Sequence, residues 1–185
     1  LSFSLYNVGI YTVIAFAAIY GKDRFAMGDQ SLILFFIIAQ VTSVIGAVAF
    51  GWLSDRYNVR LSLSVSILVW IGVVTWAFFC RSAMEYYALG LVAGLAIGSS
   101  QANSRTMLSV LTPLDRQAEF FGFYTLVGRI SAIIGPFVYG NLSRVTGNQR
   151  YAIVSLGAFF ILGWFLLQRV NLDRGKNLSK TYTFN

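Results

Sequence analysis

Six runs of nearly unbroken apolar residues, at about 1–20, 32–53, 62–80, 86–108, 120–142 and 151–168, occupy most of this 185-residue chain. Each is long enough, or nearly so, to cross the ~30 Å hydrocarbon core of a bilayer as a helix, which takes about 20 residues. With connections this short there is no room for a sizeable soluble domain, so the chain is predicted to be one all-α membrane bundle. Composition agrees: 57% of residues are hydrophobic, only 11% are charged, and the mean hydropathy is +0.68.

Missing residue types narrow the chemistry. There is no histidine, which excludes a His-based triad, a His-ligated haem and a His-x-x-x-His metal site. Cys80 is the only cysteine, so an internal disulfide is excluded. Lys22, Lys176 and Lys180 all lie outside the apolar runs, which excludes a buried Schiff-base lysine. No catalytic residue, metal or cofactor is expected, and an enzyme is disfavoured. No basic run interleaved with aromatic residues points to nucleic acid. Transport, scaffolding and anchoring remain.

The net charge of +7 is read as topological. Arg56, Arg60, Arg105, Arg116, Arg169, Arg174, Lys176 and Lys180 fall on one set of connections and the tail, whereas Lys22, Arg24, Arg81, Arg144 and Arg150 fall on the other. The richer side faces the cytoplasm in most membrane proteins. Residues 54–61 and 109–119 and a tail at 169–185 are therefore expected there, as are both ends of a multi-pass protein of the cell (inner) membrane. Leu1 is not an initiator methionine and no signal-peptide flank precedes the first run, so the chain reads as part of a longer one.

The connection after the second run is Gly51-Trp52-Leu53-Ser54-Asp55-Arg56-Tyr57-Asn58-Val59-Arg60. It resembles the loop Gly-x-Leu-Ala/Ser-Asp-Arg-x-Gly-Arg-Lys/Arg that recurs in each six-helix half of the major facilitator superfamily. Gly51 permits close helix approach, Asp55 can face the positive start of a neighbouring helix, and Arg56 and Arg60 can hold the interface. Asn58 replaces the usual glycine, a position where its tolerance of left-handed backbone helps, and Val59 replaces a basic residue. A narrower resemblance rests on Leu5-Tyr6-Asn7-Val8-Gly9, Gln101-Ala102-Asn103-Ser104-Arg105, Pro113, Glu119-Phe120-Phe121-Gly122-Phe123-Tyr124, Gly128-Arg129 and Gly135-Pro136. In order over residues 1–172, these look like the C-terminal half of the vacuolar-effluxer-like family, whose yeast members are implicated in vacuolar amino-acid efflux. That family commonly has an aspartate where this chain has Val8. The resemblance implies two inverted three-helix repeats, at about 1–80 and 84–168, with the first and fourth runs lining a pathway against an absent N-terminal six-helix half. It also implies conformational gating by Gly51, Asp55, Arg56, Arg60, Arg105 and Glu119.

The residues also speak for themselves. Gly90, Gly94 and Gly98 form a four-residue stripe continued by Gln101 and Arg105, either a packing seam with Arg105 snorkelling to the surface or a cavity wall. Thr112-Pro113-Leu114-Asp115 reads as a helix start with Thr112 as cap. Arg129, ten residues beyond Glu119, falls roughly 15 Å deeper, near mid-membrane. There an arginine is costly, and no acid in the six runs can pair with it. Its face, Gly122, Thr125, Ala132, Pro136 and Gly140, is small or polar and is predicted to point into protein or a cavity. Asn7 with Tyr11, and Gln40 with Ser43, Ala47 and Gly51, are either cavity lining or interhelical glue. Runs three and six read as lipid-facing supports.

Asn7, Tyr11, Gln40, Gln101 and Arg129 are thus the candidate pathway residues of a secondary transporter of small solutes, amino-acid-like or otherwise anionic or zwitterionic. The rival is a non-transporting six-helix scaffold or assembly subunit, or a homodimeric half-transporter.

Overall fold

The computed structural model describes residues 1–147 and 149–172. Most of the tail expected at 169–185 lies outside the described residues. Each apolar run is a helix: α1 Ser2–Phe25, α2 Asp29–Arg56, α3 Val59–Phe79, α4 Ala83–Leu111, α5 Gln117–Thr146 and α6 Gln149–Gln168. There is no strand among the described residues. Among the described residues five helices are long and apolar enough to cross a membrane. The exception is α4, whose second half carries Ser99, Ser100, Gln101, Asn103, Ser104 and Arg105.

The connections are short because the caps are local. Ala26 ends α1 in the left-handed conformation at φ 50° and Gly147 ends α5 at φ 64°. The Asn58 side chain accepts a hydrogen bond from the Leu61 amide at 2.7 Å. Asn58 is extended, at φ −167°, so it serves as the N-cap of α3 and not as the left-handed residue expected. Thr112 corrects a second expectation. It closes α4, with its hydroxyl donating to the Leu108 carbonyl at 2.8 Å, and a short 3-10 turn at Leu114–Arg116 intervenes before α5. Its hydroxyl is used by the preceding turn, so it is not free to cap the next helix.

Helix pairing follows a pattern. α2 packs on α4 and α1 on α5; α1 packs on α6 and α3 on α4; α2 meets α3 as α5 meets α6; and α3 meets α6, α1 meets α4. Exchanging α1–α3 for α4–α6 maps these pairs onto one another, whereas a small α4–α5 contact lacks an α1–α2 counterpart among the principal helix contacts. The α2–α4 seam is the tightest: a Cβ on Gly94 would lie 2.3 Å from the Ala39 carbonyl, and Gly98 touches the Ser43 carbonyl. The stripe read from sequence is therefore a packing seam over its glycines. Gly46, opposite Leu95, is the close-approach glycine of α2. Gly51 is not, since nothing lies within 4 Å of a Cβ placed there.

The third run corrects another expectation. Leu63, Ile67, Trp70 and Val73 of α3 are buried to within 1%, and α3 is the central strut against α4 and α6. Trp70 stacks on Phe160 of α6 at 5.5 Å. An all-round apolar helix fits lipid or a protein core equally well, and here three neighbours enclose it. α6 buries Leu156, Phe160 and Leu167 and exposes Ile161, Leu162 and Phe165. The outer faces of α2 and α5 are apolar, as at Ile37, Val41, Ile133 and Phe137, which suits an apolar surrounding.

Candidate functional site

The polar residues of α4 divide between two faces. Those on the inner face tie the bundle together: Ser104 meets the Tyr6 hydroxyl of α1 at 2.7 Å, the Asn103 amide donates to Ser62 of α3 at 2.8 Å, and the Trp70 indole donates to Ser100 at 3.3 Å. Gln101 and Arg105 point the other way. They line two adjoining hollows, one of about 580 Å³ and one of about 380 Å³, sizes that suit small solutes.

The smaller hollow gathers Asn7 and Tyr11 of α1, Gln101 and Arg105 of α4, and Arg129 of α5. Gln40 of α2 lies instead in the larger one, which shares Gln101 and Arg105. Asn7 is buried, and its Nδ2 has no hydrogen-bond partner, an arrangement that costs free energy unless something else accepts the bond. Opposite it, a Cβ on Gly128 would stand 3.7 Å from Asn7 Nδ2 and 3.8 Å from the Tyr11 hydroxyl. Gly128 therefore keeps that wall open. Arg129 is exposed and forms no ion pair among the described residues. It stands about 18 Å along α5 from Gln117.

The buried ridge of α5 is Gly128, Ser131, Gly135 and Tyr139, one residue away from the face expected. Thr125, Arg129 and Ala132 border it and line the hollow, while Gly122 and Gly140 look into open space. At Gly135 the helix touches α1, where a Cβ would fall 2.7 Å from the Val8 carbonyl. Two tyrosines of α5 are not among the pathway residues expected from the sequence. Tyr139 is buried in the wall of the larger hollow, its ring 4.1 Å from Phe16 and its hydroxyl without a hydrogen bond. Tyr124 stacks on Phe3 at 4.1 Å and forms part of the smaller hollow. Aromatic side chains are common in helices of every kind, so neither stood out as a polar interruption.

Residues 1–180 match the family described as vacuole effluxer Atg22 like. The chain belongs to that family. A relative of this Atg22-like chain is an uncharacterised MFS-type transporter of Bacillus subtilis, 28% identical over 97% of the chain and 42% of that protein. Others are the autophagy-related protein 22 of Kluyveromyces lactis, 28% identical over 89% of the chain and 36% of that protein, and of Saccharomyces cerevisiae, 25% identical over 90% and 34%. The chain thus spans about two fifths or less of the length of these relatives. The Atg22-like chain is a multi-pass membrane protein.

Its expected gating residues are dispersed. Asp55, Arg56 and Glu119 are exposed and make no hydrogen bond or ion pair among the described residues, so Asp55 does not engage the start of α5 within this Atg22-like bundle. Arg60 reaches the end of α6 and donates to the Gln168 main-chain carbonyl and, at 3.1 Å, to its side chain. That contact caps the last turn of α6. Arg105 belongs to the hollows.

Proposed function

We propose that this chain is the C-terminal six-helix half of a secondary active transporter of small amino-acid-like, anionic or zwitterionic solutes. It rocks against an N-terminal half to expose the site alternately to each side. The observation that carries this reading is the polar hollow formed by Asn7, Tyr11, Gln101, Arg105 and Arg129 on α1, α4 and α5. It brings two arginines together on helices of an apolar bundle, and intramembrane charge is costly without a function. Two further observations support it. The main helix pairs map onto one another when α1–α3 and α4–α6 are exchanged, as is expected of two inverted three-helix repeats. The relatives are two to three times longer than the stretch matched, which leaves room for a second half. Both ends, the Asp55 loop and the α4–α5 connection face the cytoplasm of a cell (inner) membrane, and Asp55, Arg56 and Glu119 await contacts with the other half.

The test is solute uptake into vesicles reconstituted with the full-length protein, with radiolabelled neutral and acidic amino acids and small organic acids as probes. Saturable uptake of at least one probe is expected. Absence of uptake of every probe by a folded, inserted protein would overturn the reading in favour of a scaffold.

A further inference from the structure

The smaller hollow has an unbalanced charge. Arg105 enters it from α4 and Arg129 from α5, and no carboxylate is among the residues that line it. Its other polar side chains are Asn7, whose buried Nδ2 is a donor without an acceptor among the described residues, Tyr11, Gln101, Thr125 and Tyr124, whose hydroxyl meets Arg105. Two guanidiniums beside an unused amide donor form a site that asks for acceptors and negative charge, and a neutral zwitterion satisfies it only in part.

Resting on the reading of this chain as half of a transporter, we infer that the hollow is a subsite for a small solute carrying two separate carboxylates. One is held by Arg105 and the other by Arg129, and Asn7 Nδ2 donates to the bound molecule. A guanidinium offers a planar fork that binds a carboxylate through two parallel hydrogen bonds. Because the two forks come from different helices, a ligand with an anionic group at each end can engage both at once. The volume of about 380 Å³ has room for a small dicarboxylate. Gly128 contributes by leaving the wall next to Asn7 and Tyr11 free of a side chain.

The experiment uses the purified full-length protein in detergent. Heat stability is followed with succinate as the dicarboxylate, butyrate as the monocarboxylate, leucine as the neutral zwitterion and inorganic phosphate as a compact anion. Succinate is expected to raise Tm at concentrations where the other three do not. Arg105→Gln and Arg129→Gln should each weaken succinate at least tenfold and leave butyrate within about threefold, bringing the two probes together. Both arginines are exposed in the bundle, so these variants are expected to fold, and Arg129→Lys serves as a second variant that keeps the charge without the fork. Leucine, butyrate or phosphate acting as strongly as succinate, or succinate binding unchanged in Arg105→Gln, would overturn the dicarboxylate subsite. Uptake of other solutes into vesicles would then still stand. Succinate binding without uptake of any solute supports the subsite and removes the transporter.

Discussion

A Cβ on Gly46 of α2 would lie 2.2 Å from the carbonyl oxygen of Leu95 on α4. The two backbones are therefore in direct contact, and no side chain can be inserted there without separating the helices. Gly46→Leu is expected to abolish a monodisperse, folded product, whereas Gly51→Ala, with open space around it, should leave stability equal or raise it by up to about 1 kcal/mol through helix propensity. Size-exclusion profiles and Tm of the two variants check this, and a well-folded Gly46→Leu would contradict the contact.

The Tyr6–Ser104 hydrogen bond spans α1 and α4 at 2.7 Å. Such bonds within membranes are worth roughly 0.6 kcal/mol on average, so Tyr6→Phe should lower stability by about that amount and no more. A double-mutant cycle with Ser104→Ala measures the coupling. A coupling near zero would mean that α1 and α4 are held together there by packing and not by this bond.

Arg129→Met should insert and fold at least as well as the parent, because it removes a charge from an apolar setting and keeps much of the volume. Transport by the full-length protein should nevertheless fall at least tenfold. Arg129→Lys should also impair transport, since it keeps the charge but loses the fork. Normal uptake by correctly inserted Arg129→Met would leave the arginine a structural residue.

Among the described residues Asp55 has no partner, so Asp55→Asn should not change Tm measurably. It should alter how long hollow-facing cysteines stay accessible from each side in the full-length protein. Orientation is read with Tyr57→Cys beside it and Met84→Cys at the opposite end, both well exposed. Cys80 is buried and gives little background. Tyr57→Cys is expected to label from the cytoplasm only, and labelling from outside would reverse the topology.

The six helices were legible because apolar length is a one-dimensional property that survives any tertiary arrangement. Arg129, Asn7, Tyr11 and Gln101 were legible as polar interruptions, and the structure brings them to one hollow. What sequence could not give was which face each helix turns inward. α3 offers no polar stripe to mark its orientation, and its burial depends on α4 and α6, both distant in the chain. On α5, Arg129 sits at the border of the buried ridge, so a count of small residues placed the ridge one position off. Gly46 stands among apolar residues in the sequence, and only the approach of Leu95 distinguishes it from Gly51. Arg60 reads as an interfacial arginine until α6 is seen to end beside it.

The hydrogen bonds of α4 have a consequence for biogenesis. This is the one helix short of the apolarity that marks the other five, so its entry into lipid alone is the least favourable of the set. Yet each partner of its inner polar face, Tyr6 for Ser104, Ser62 for Asn103 and Trp70 for Ser100, precedes it in the chain. Because the chain is made from its N-terminus, α1 and α3 emerge before α4, and donors and acceptors that match its polar face are available to it first. A chain synthesised from Ala83 onward would meet no such partners, and its first segment should pass into the lumen of the translocation channel more often than into the membrane.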